Sequence, residues 1–307
     1  MVEMGQVSLQ VDVAGLHMKN PVTVGSGTFA AGREYSDFVD VSKLGAVTTK
    51  GVSLHGWPGN DGTRIAETPS GMLNSIGLQN PGVEHLMEED LPWLNEQGAT
   101  IIVNVAGHSV DEYAQVIERL ENASLDAYEV NISCPNVDGG GMSFGADPAL
   151  ASEVISACRS HTNRPLIAKL TPNVTDITLI AKAVQDAGAD AVSLINTVCG
   201  MAIDANTRRS ILARGIGGLS GPAIKPIALG MVWQCYKAVD IPIIGMGGIR
   251  SGLDAVEFLL AGARAVSVGT ANFIDPCVTL QVIEGIERYC ADQGVSDVNE
   301  LVGALEW

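Results

Sequence analysis

Positive charge is scarce in this chain. Its 307 residues carry 18 Lys and Arg against 35 Asp and Glu, a formal net charge of −17. Such a surface repels a phosphate backbone, so nucleic-acid binding has no electrostatic basis. Long apolar runs are missing too: no stretch could cross a bilayer, and the opening "MVEMGQVSLQVDV" is broken by polar residues where a leader would be charged and then apolar. A cytoplasmic protein with no membrane partner is expected. The six cysteines, at 134, 158, 199, 235, 277 and 290, include no C-x-x-C pair, and the five histidines show no ligand spacing. Neither a metal site, an iron–sulfur cluster nor a secreted disulfide framework is therefore expected on this chain. The G-x-G-x-x-G fingerprint and the Walker motif are also absent, which argues against a dinucleotide held in the Rossmann manner. No Pro- or Ser-rich linker or charge block divides the chain, so residues 1–307 read as a single domain.

What the chain does have is a rhythm. Short, β-branched apolar runs recur eight times: "VTVGSG" from Val22, "AVTTKG" from Ala46, "IIVNVAG" from Ile101, "AYEVNIS" from Ala127, "LIAKLTP" from Leu166, "AVSLINT" from Ala191, "PIIGMGG" from Pro242 and "AVSVGTA" from Ala265. Most precede a stretch with apolar residues at helical spacing, such as "VDEYAQVIERLEN" or "SGLDAVEFLLAG", several begun by Asp or Ser and ended by Gly or Asn. Eight such βα units predict an α/β fold, a (β/α)8 TIM barrel, with "VSLQVDVAGLHMKN" as an N-terminal β-hairpin ahead of it. Three long insertions break the rhythm, after strands 2, 4 and 6. All follow strand C-termini, the barrel face on which active sites are built.

Five polar residues stand at or near those strand ends: Lys50, Asn104, Asn131, Lys169 and Asn196. Two cations and three carboxamides suit a planar, anionic, amide-bearing ligand, because Asn matches the donor and acceptor edges of a ring amide. The last two strands run into "GMGGIR" (Gly247 and Gly248 within it) and "VGTAN" (Gly269, Thr270). In such barrels these loops commonly hold a phosphate through backbone N–H groups. Cys134 ends the fourth strand in "NISCPN", between Asn131 and Asn136, with the glycine-rich "VDGGGMSFG" behind it. That setting places its thiol beside the polar cluster. Cys158, Cys235 and Cys290 fall in helical patterns and read as packing, and His108 as a loop residue.

Taken in order, "GSGTF", "TTKG", "NSIGLQNPG", "NISCPN", "KLTPN", "INT", "GGLSGPAIKP", "GMGGI" and "VGTA" resemble the dihydroorotate dehydrogenase family, from about residue 8 to the last helices. The resemblance implies an FMN-binding barrel that oxidises dihydroorotate to orotate in pyrimidine biosynthesis. It implies FMN contacts at Ser26, Lys50, Gly51, Asn104, Asn131, Lys169, Ile195, Gly221, Gly247, Gly248, Gly269 and Thr270. It implies orotate contacts at Lys50, Asn74, Ser75, Ile76, Gly77, Leu78, Asn131, Asn196 and Thr197, and it makes Cys134 the catalytic base. A Cys base resembles the soluble class, and "KLTPNVTDI" with "GGLSGPAIKPIALGMVW" is closer to the NAD-linked catalytic subunit than to the fumarate-linked enzyme. For that subunit the resemblance implies a homodimer joined to a partner carrying FAD and an iron–sulfur cluster, a heterotetramer. A fumarate-linked homodimer, a dihydropyrimidine dehydrogenase-like enzyme and a non-catalytic flavin-binding subunit are the alternative readings.

Overall fold

The eight apolar runs become the eight strands of one parallel sheet. In the computed structural model, which describes residues 6–133 and 144–306, these are β1 (Val22–Val24), β2 (Val47–Thr48), β3 (Ile101–Val105), β4 (Ala127–Asn131), β5 (Leu166–Lys169), β6 (Ala191–Leu194), β7 (Ile243–Met246) and β8 (Ala265–Val268). Each strand pairs with the next in chain order from β2 to β8, and β8 pairs back onto β1. The seam between β1 and β2 is closed locally: the Gly45 N–H donates to the Val22 carbonyl at 2.8 Å, and the hydroxyls of Thr23 and Thr48 meet at 3.0 Å. Every residue of these strands is buried, since helices cover the outer face and side chains from other strands fill the interior.

Helices α1 (Val110–Leu120), α2 (Pro148–Arg159), α3 (Ile177–Asp186), α4 (Lys225–Tyr236), α5 (Gly252–Leu260) and α6 (Val278–Gln293) form the outer layer. Four begin as the sequence suggests. The side chains of Ser109, Asp147, Asp176 and Ser251 accept from backbone N–H groups of the first turn, a cap that typically contributes about 1 kcal/mol. Cys158, Cys235 and Cys290 are buried in these helices, and burial pushes their thiols up to about 12, 12 and 11. They are packing residues. The predicted hairpin is present as Val11–Val13 against Leu16–Met18, turned at Ala14 and Gly15, where the Gly15 N–H donates to Asp12 Oδ1. Its Val11, Val13, Leu16 and Met18 join the main core.

The insertions after β2 and β6 do more than interrupt the rhythm. The first supplies Ile65–Thr68 and Gly71–Asn74, the second Val198–Met201 and Ile216–Ser220, and the four make one antiparallel sheet. The join is Gly218 opposite Asn74, Leu219 opposite Leu73 and Ser220 opposite Met72. A small core of Ala66, Leu73 and Leu212 holds it. Most of the insertion after β4, including Cys134, lies outside the described residues. Among those described, no helix is long and apolar enough to cross a membrane and no group of side chains could hold a metal ion.

Candidate active site

A parallel strand presents every second side chain to the barrel interior, so the last inward positions of each strand share one level beneath the sheet formed by the two insertions. A cavity of about 250 Å³ lies there, close to the lower end of small-molecule pockets (roughly 300 Å³). Its polar floor comes from three neighbouring strands, Asn104 on β3, Asn131 on β4 and Lys169 on β5, all nearly inaccessible to solvent. Asn131 stands directly opposite Lys169 in the ladder, and the Asn131 amide nitrogen donates to Asn104 Oδ1 at 3.5 Å.

Every site residue expected from the sequence that the structure describes lines this one cavity. Lys50 and Gly51 follow β2, Ile195, Asn196 and Thr197 follow β6, and Ser26 follows β1. Asn74, Ser75, Ile76, Gly77 and Leu78 enter from the roof, where Asn74 Nδ2 reaches the Gly218 carbonyl at 3.4 Å and Asn60 Nδ2 donates to the Ser75 carbonyl at 2.9 Å. Gly77 and Leu78 both have positive φ, +75° and +52°. The Ser75 hydroxyl is buried with no hydrogen-bond partner among the described residues, in a residue that lines the cavity. Gly221, Gly247, Gly248, Gly269 and Thr270 form the opposite side, with Thr270 Oγ1 bonded to Ser220 Oγ at 2.8 Å. Gly248 has φ +78°, and a Cβ there would lie 2.8 Å from the Gly221 carbonyl, so only glycine fits. A Cβ on Gly269 would meet nothing within 4 Å: the backbone is bare toward open space.

Cys134 falls outside the described residues but is covalently joined to Ser133. The Ser133 hydroxyl donates to Asn131 Oδ1 at 2.6 Å and accepts from Asn196 Nδ2 at the same distance. Asn196 Oδ1 in turn accepts from the Thr197 N–H, and Asn173 Nδ2 donates to the Thr197 carbonyl. Sequence reading missed Ser133, Asn173 and, beneath them, the buried Glu129. Alternation could have found Glu129, which shares a face of β4 with Asn131; Ser133 lies in the turn beyond the strand. His108 is exposed against the Trp57 ring, 3.8 Å between centroids, away from the cavity.

The glycine side is braced from outside. Lys225 Nζ lies 2.6 Å from Asp254 and 2.8 Å from Glu257, while Asp254 also accepts from Ser251 Oγ and from the Arg250 N–H that ends the loop after β7. Burial raises the Asp254 carboxyl, but the hydrogen bonds from Lys225 and Ser251 outweigh it and hold it below the ordinary carboxylate range.

The comparisons with known proteins agree with this geometry. The sequence pattern of the dihydroorotate dehydrogenase family matches residues 8–290. The chain is 55% identical over 302 residues to the dihydroorotate dehydrogenase B (NAD(+)) catalytic subunit of Alkaliphilus metalliredigens, covering 98% of this chain and 100% of the relative. It is 54% identical over 300 residues to the subunit of the same name from Lachnoclostridium phytofermentans, with 98% and 100% covered. A crystal structure of DHODH from Eimeria tenella in complex with ferulenol superposes with a TM-score of 0.81 at 22% identity, over 97% of this chain and 88% of that one, and shares the fold. The fold and the site define an oxidoreductase built on a (β/α)8 barrel. The chain belongs to the dihydroorotate dehydrogenase family.

Because the folded-state value of Asp254 is depressed, its contribution to stability is complete above the unfolded value near 3.9 and is lost as pH falls through the lower folded value. Asp254→Asn should cost on the order of 1 kcal/mol at neutral pH, discounted for the partial exposure of Lys225. Urea melts from pH 7 down to 3 should show the gap between the two proteins closing in acid.

Proposed function

We propose that this chain oxidises dihydroorotate to orotate in pyrimidine biosynthesis, with FMN in the cavity as hydride acceptor. The observation that carries the reading is the convergence of Lys50, Asn104, Asn131, Lys169 and Asn196 on one cavity whose far wall is bare glycine backbone. The residues fit the cofactor. Gly247, Gly248, Gly269 and Thr270 offer backbone N–H groups to a phosphate without needing a basic cluster, Ser26, Gly51, Ile195 and Gly221 line the space between, and Lys169 and the two floor carboxamides suit the polar edge of a flavin ring. The bare backbone at Gly269, with nothing within 4 Å of where a Cβ would stand, leaves room for close approach of a phosphate.

When bound, FMN supplies a two-electron acceptor for the hydride leaving C6 of the substrate. Everything else falls to the chain. Asn74, Asn131 and Asn196 present both donor and acceptor edges to the ring amides, Ser75 and the backbone of Ile76, Gly77 and Leu78 close the roof, and Lys50 supplies a cation for the carboxylate. Thr197 completes this wall, held by Asn173. The Cys134 thiolate takes the C5 proton, which is acidic because it lies α to a carbonyl. The thiolate, not the thiol, is the base, so the ionised fraction of Cys134 enters the rate. Lys169 provides positive charge at the cavity floor and would offset negative charge on a ring reduced there.

The 55% identical relatives are named as NAD-linked catalytic subunits. By that resemblance this chain forms a homodimer and passes electrons to a partner subunit with FAD and an iron–sulfur cluster, giving a heterotetramer in the cytoplasm. Anaerobic titration of the purified yellow protein with dihydroorotate tests the core of the reading: stoichiometric bleaching near 450 nm is expected, and an unbleached flavin removes it. Cys134→Ala should keep its FMN and bleach roughly 10²-fold or more slowly in stopped flow; bleaching at the wild-type rate would take Cys134 out of the mechanism. In Gly269→Val the new side chain occupies the space left beside the bare backbone, so flavin should be lost on purification while the circular-dichroism spectrum stays that of a folded barrel. Full retention places the phosphate elsewhere. The isolated chain should form NADH poorly at 340 nm and the complex with its partner rapidly. Equal rates would exclude the two-subunit route, and rapid turnover of the isolated chain with fumarate would assign the other soluble class.

A further inference from the structure

Glu129 lies beneath the cavity without lining it. Its side chain is 3% exposed, and it is met from three strands: Asn104 Nδ2 on β3 donates to Oε1 at 2.5 Å, Lys169 Nζ on β5 to the same oxygen at 3.2 Å, and Ser193 Oγ on β6 to Oε2 at 2.7 Å. Four successive strands thus contribute one residue each to a closed polar layer. Two of its members, Asn104 and Lys169, continue upward as the cavity floor. A buried carboxylate survives only if its lone pairs are met, and here both oxygens are.

The layer has two consequences for the floor. An acceptor held below the Asn104 nitrogen turns that amide so that its carbonyl oxygen faces Asn131, from which it accepts. This fixes the donor and acceptor pattern that a ring laid on the floor would meet. The carboxylate also sets a negative charge 3.2 Å behind the Lys169 ammonium. In a poorly screened interior the two fields oppose each other, so a ligand above Lys169 feels much less than a full positive charge.

We propose that Glu129 is a positioning residue that orients the Asn104 amide and attenuates the Lys169 charge, and so sets how strongly the cavity stabilises negative charge on the bound ring system. The inference rests on the flavin-binding reading above. It goes beyond that reading by assigning control of the flavin's electron affinity to a residue that touches neither cofactor nor substrate.

Glu129→Gln separates charge from shape. The amide oxygen can still accept from Asn104 and Lys169, and the new NH2 can donate to Ser193 Oγ, since a hydroxyl also accepts. The readout is titration of the FMN-loaded protein with sulfite, which adds to the flavin ring and leaves it negatively charged, so its dissociation constant reports the local field without turnover. Glu129→Gln should bind sulfite at least roughly tenfold more tightly than the wild type and show a higher flavin midpoint potential. Glu129→Asp, which keeps the charge, should stay within about threefold, because a charge moved by the length of one bond still opposes Lys169. A sulfite constant unchanged in Glu129→Gln overturns the proposal. Should that variant not retain flavin, Lys169→Gln is compared with Lys169→Gln/Glu129→Gln, in which no buried charge is left unpaired. The double variant must then bind sulfite more tightly, and equal constants overturn the proposal. A wild-type protein that holds no FMN would instead defeat the flavin-binding reading, so the two failures are distinct.

Discussion

Closure of eight parallel strands into a barrel is the constraint from which the rest follows. It makes each strand choose, residue by residue, between the helix layer and the interior, and it brings side chains far apart in sequence to a common level. Tyr128 and Val130 go one way on β4, Glu129 and Asn131 the other. Because the neighbours in the ladder make the same choice, Asn131 meets Lys169 opposite it, and Asn104 meets Glu129. The polar cluster is therefore a product of register. A one-residue slip in β4 would turn Asn131 into the helix layer and put Val130 on the cavity floor.

The electrostatics invert from outside to inside. The chain carries a net charge of −17, yet its cavity presents Lys50 and Lys169. An acidic exterior disfavours polyanions, while the two cavity cations stand within low-dielectric walls that strengthen their field. The bracing outside the glycine wall follows similar logic. Lys225 is tied to Asp254 and Glu257, so its charge steadies the loop after β7 rather than facing the cavity.

Much of this was legible in the sequence because strands and caps are local. Eight apolar runs, Ser and Asp at helix starts and glycines after the last strands each carry their own physical signature, and the strand-end positions of Asn104, Asn131, Lys169 and Asn196 followed once eight units were counted. The insertions were legible as insertions only. That Leu73 would lie beside Leu219 depends on a pairing between segments about 145 residues apart, for which no local pattern exists. Glu129 was passed over for a related reason: a lone acid in an apolar strand reads as noise until its three donors are seen to come from other strands. Ser133 was hidden by the more reactive-looking Cys134 next to it.

The sheet over the cavity has a consequence for biosynthesis of the chain itself. Its two halves are separated by β3 to β6, so a nascent chain holding only the first half has a floor in preparation and nothing to cover it. Residues up to Ser220 must leave the ribosome before Met72, Leu73 and Asn74 find their partners. The glycine wall after β7 and β8 comes later still. A growing polypeptide therefore cannot enclose a ligand until almost its last βα units are made.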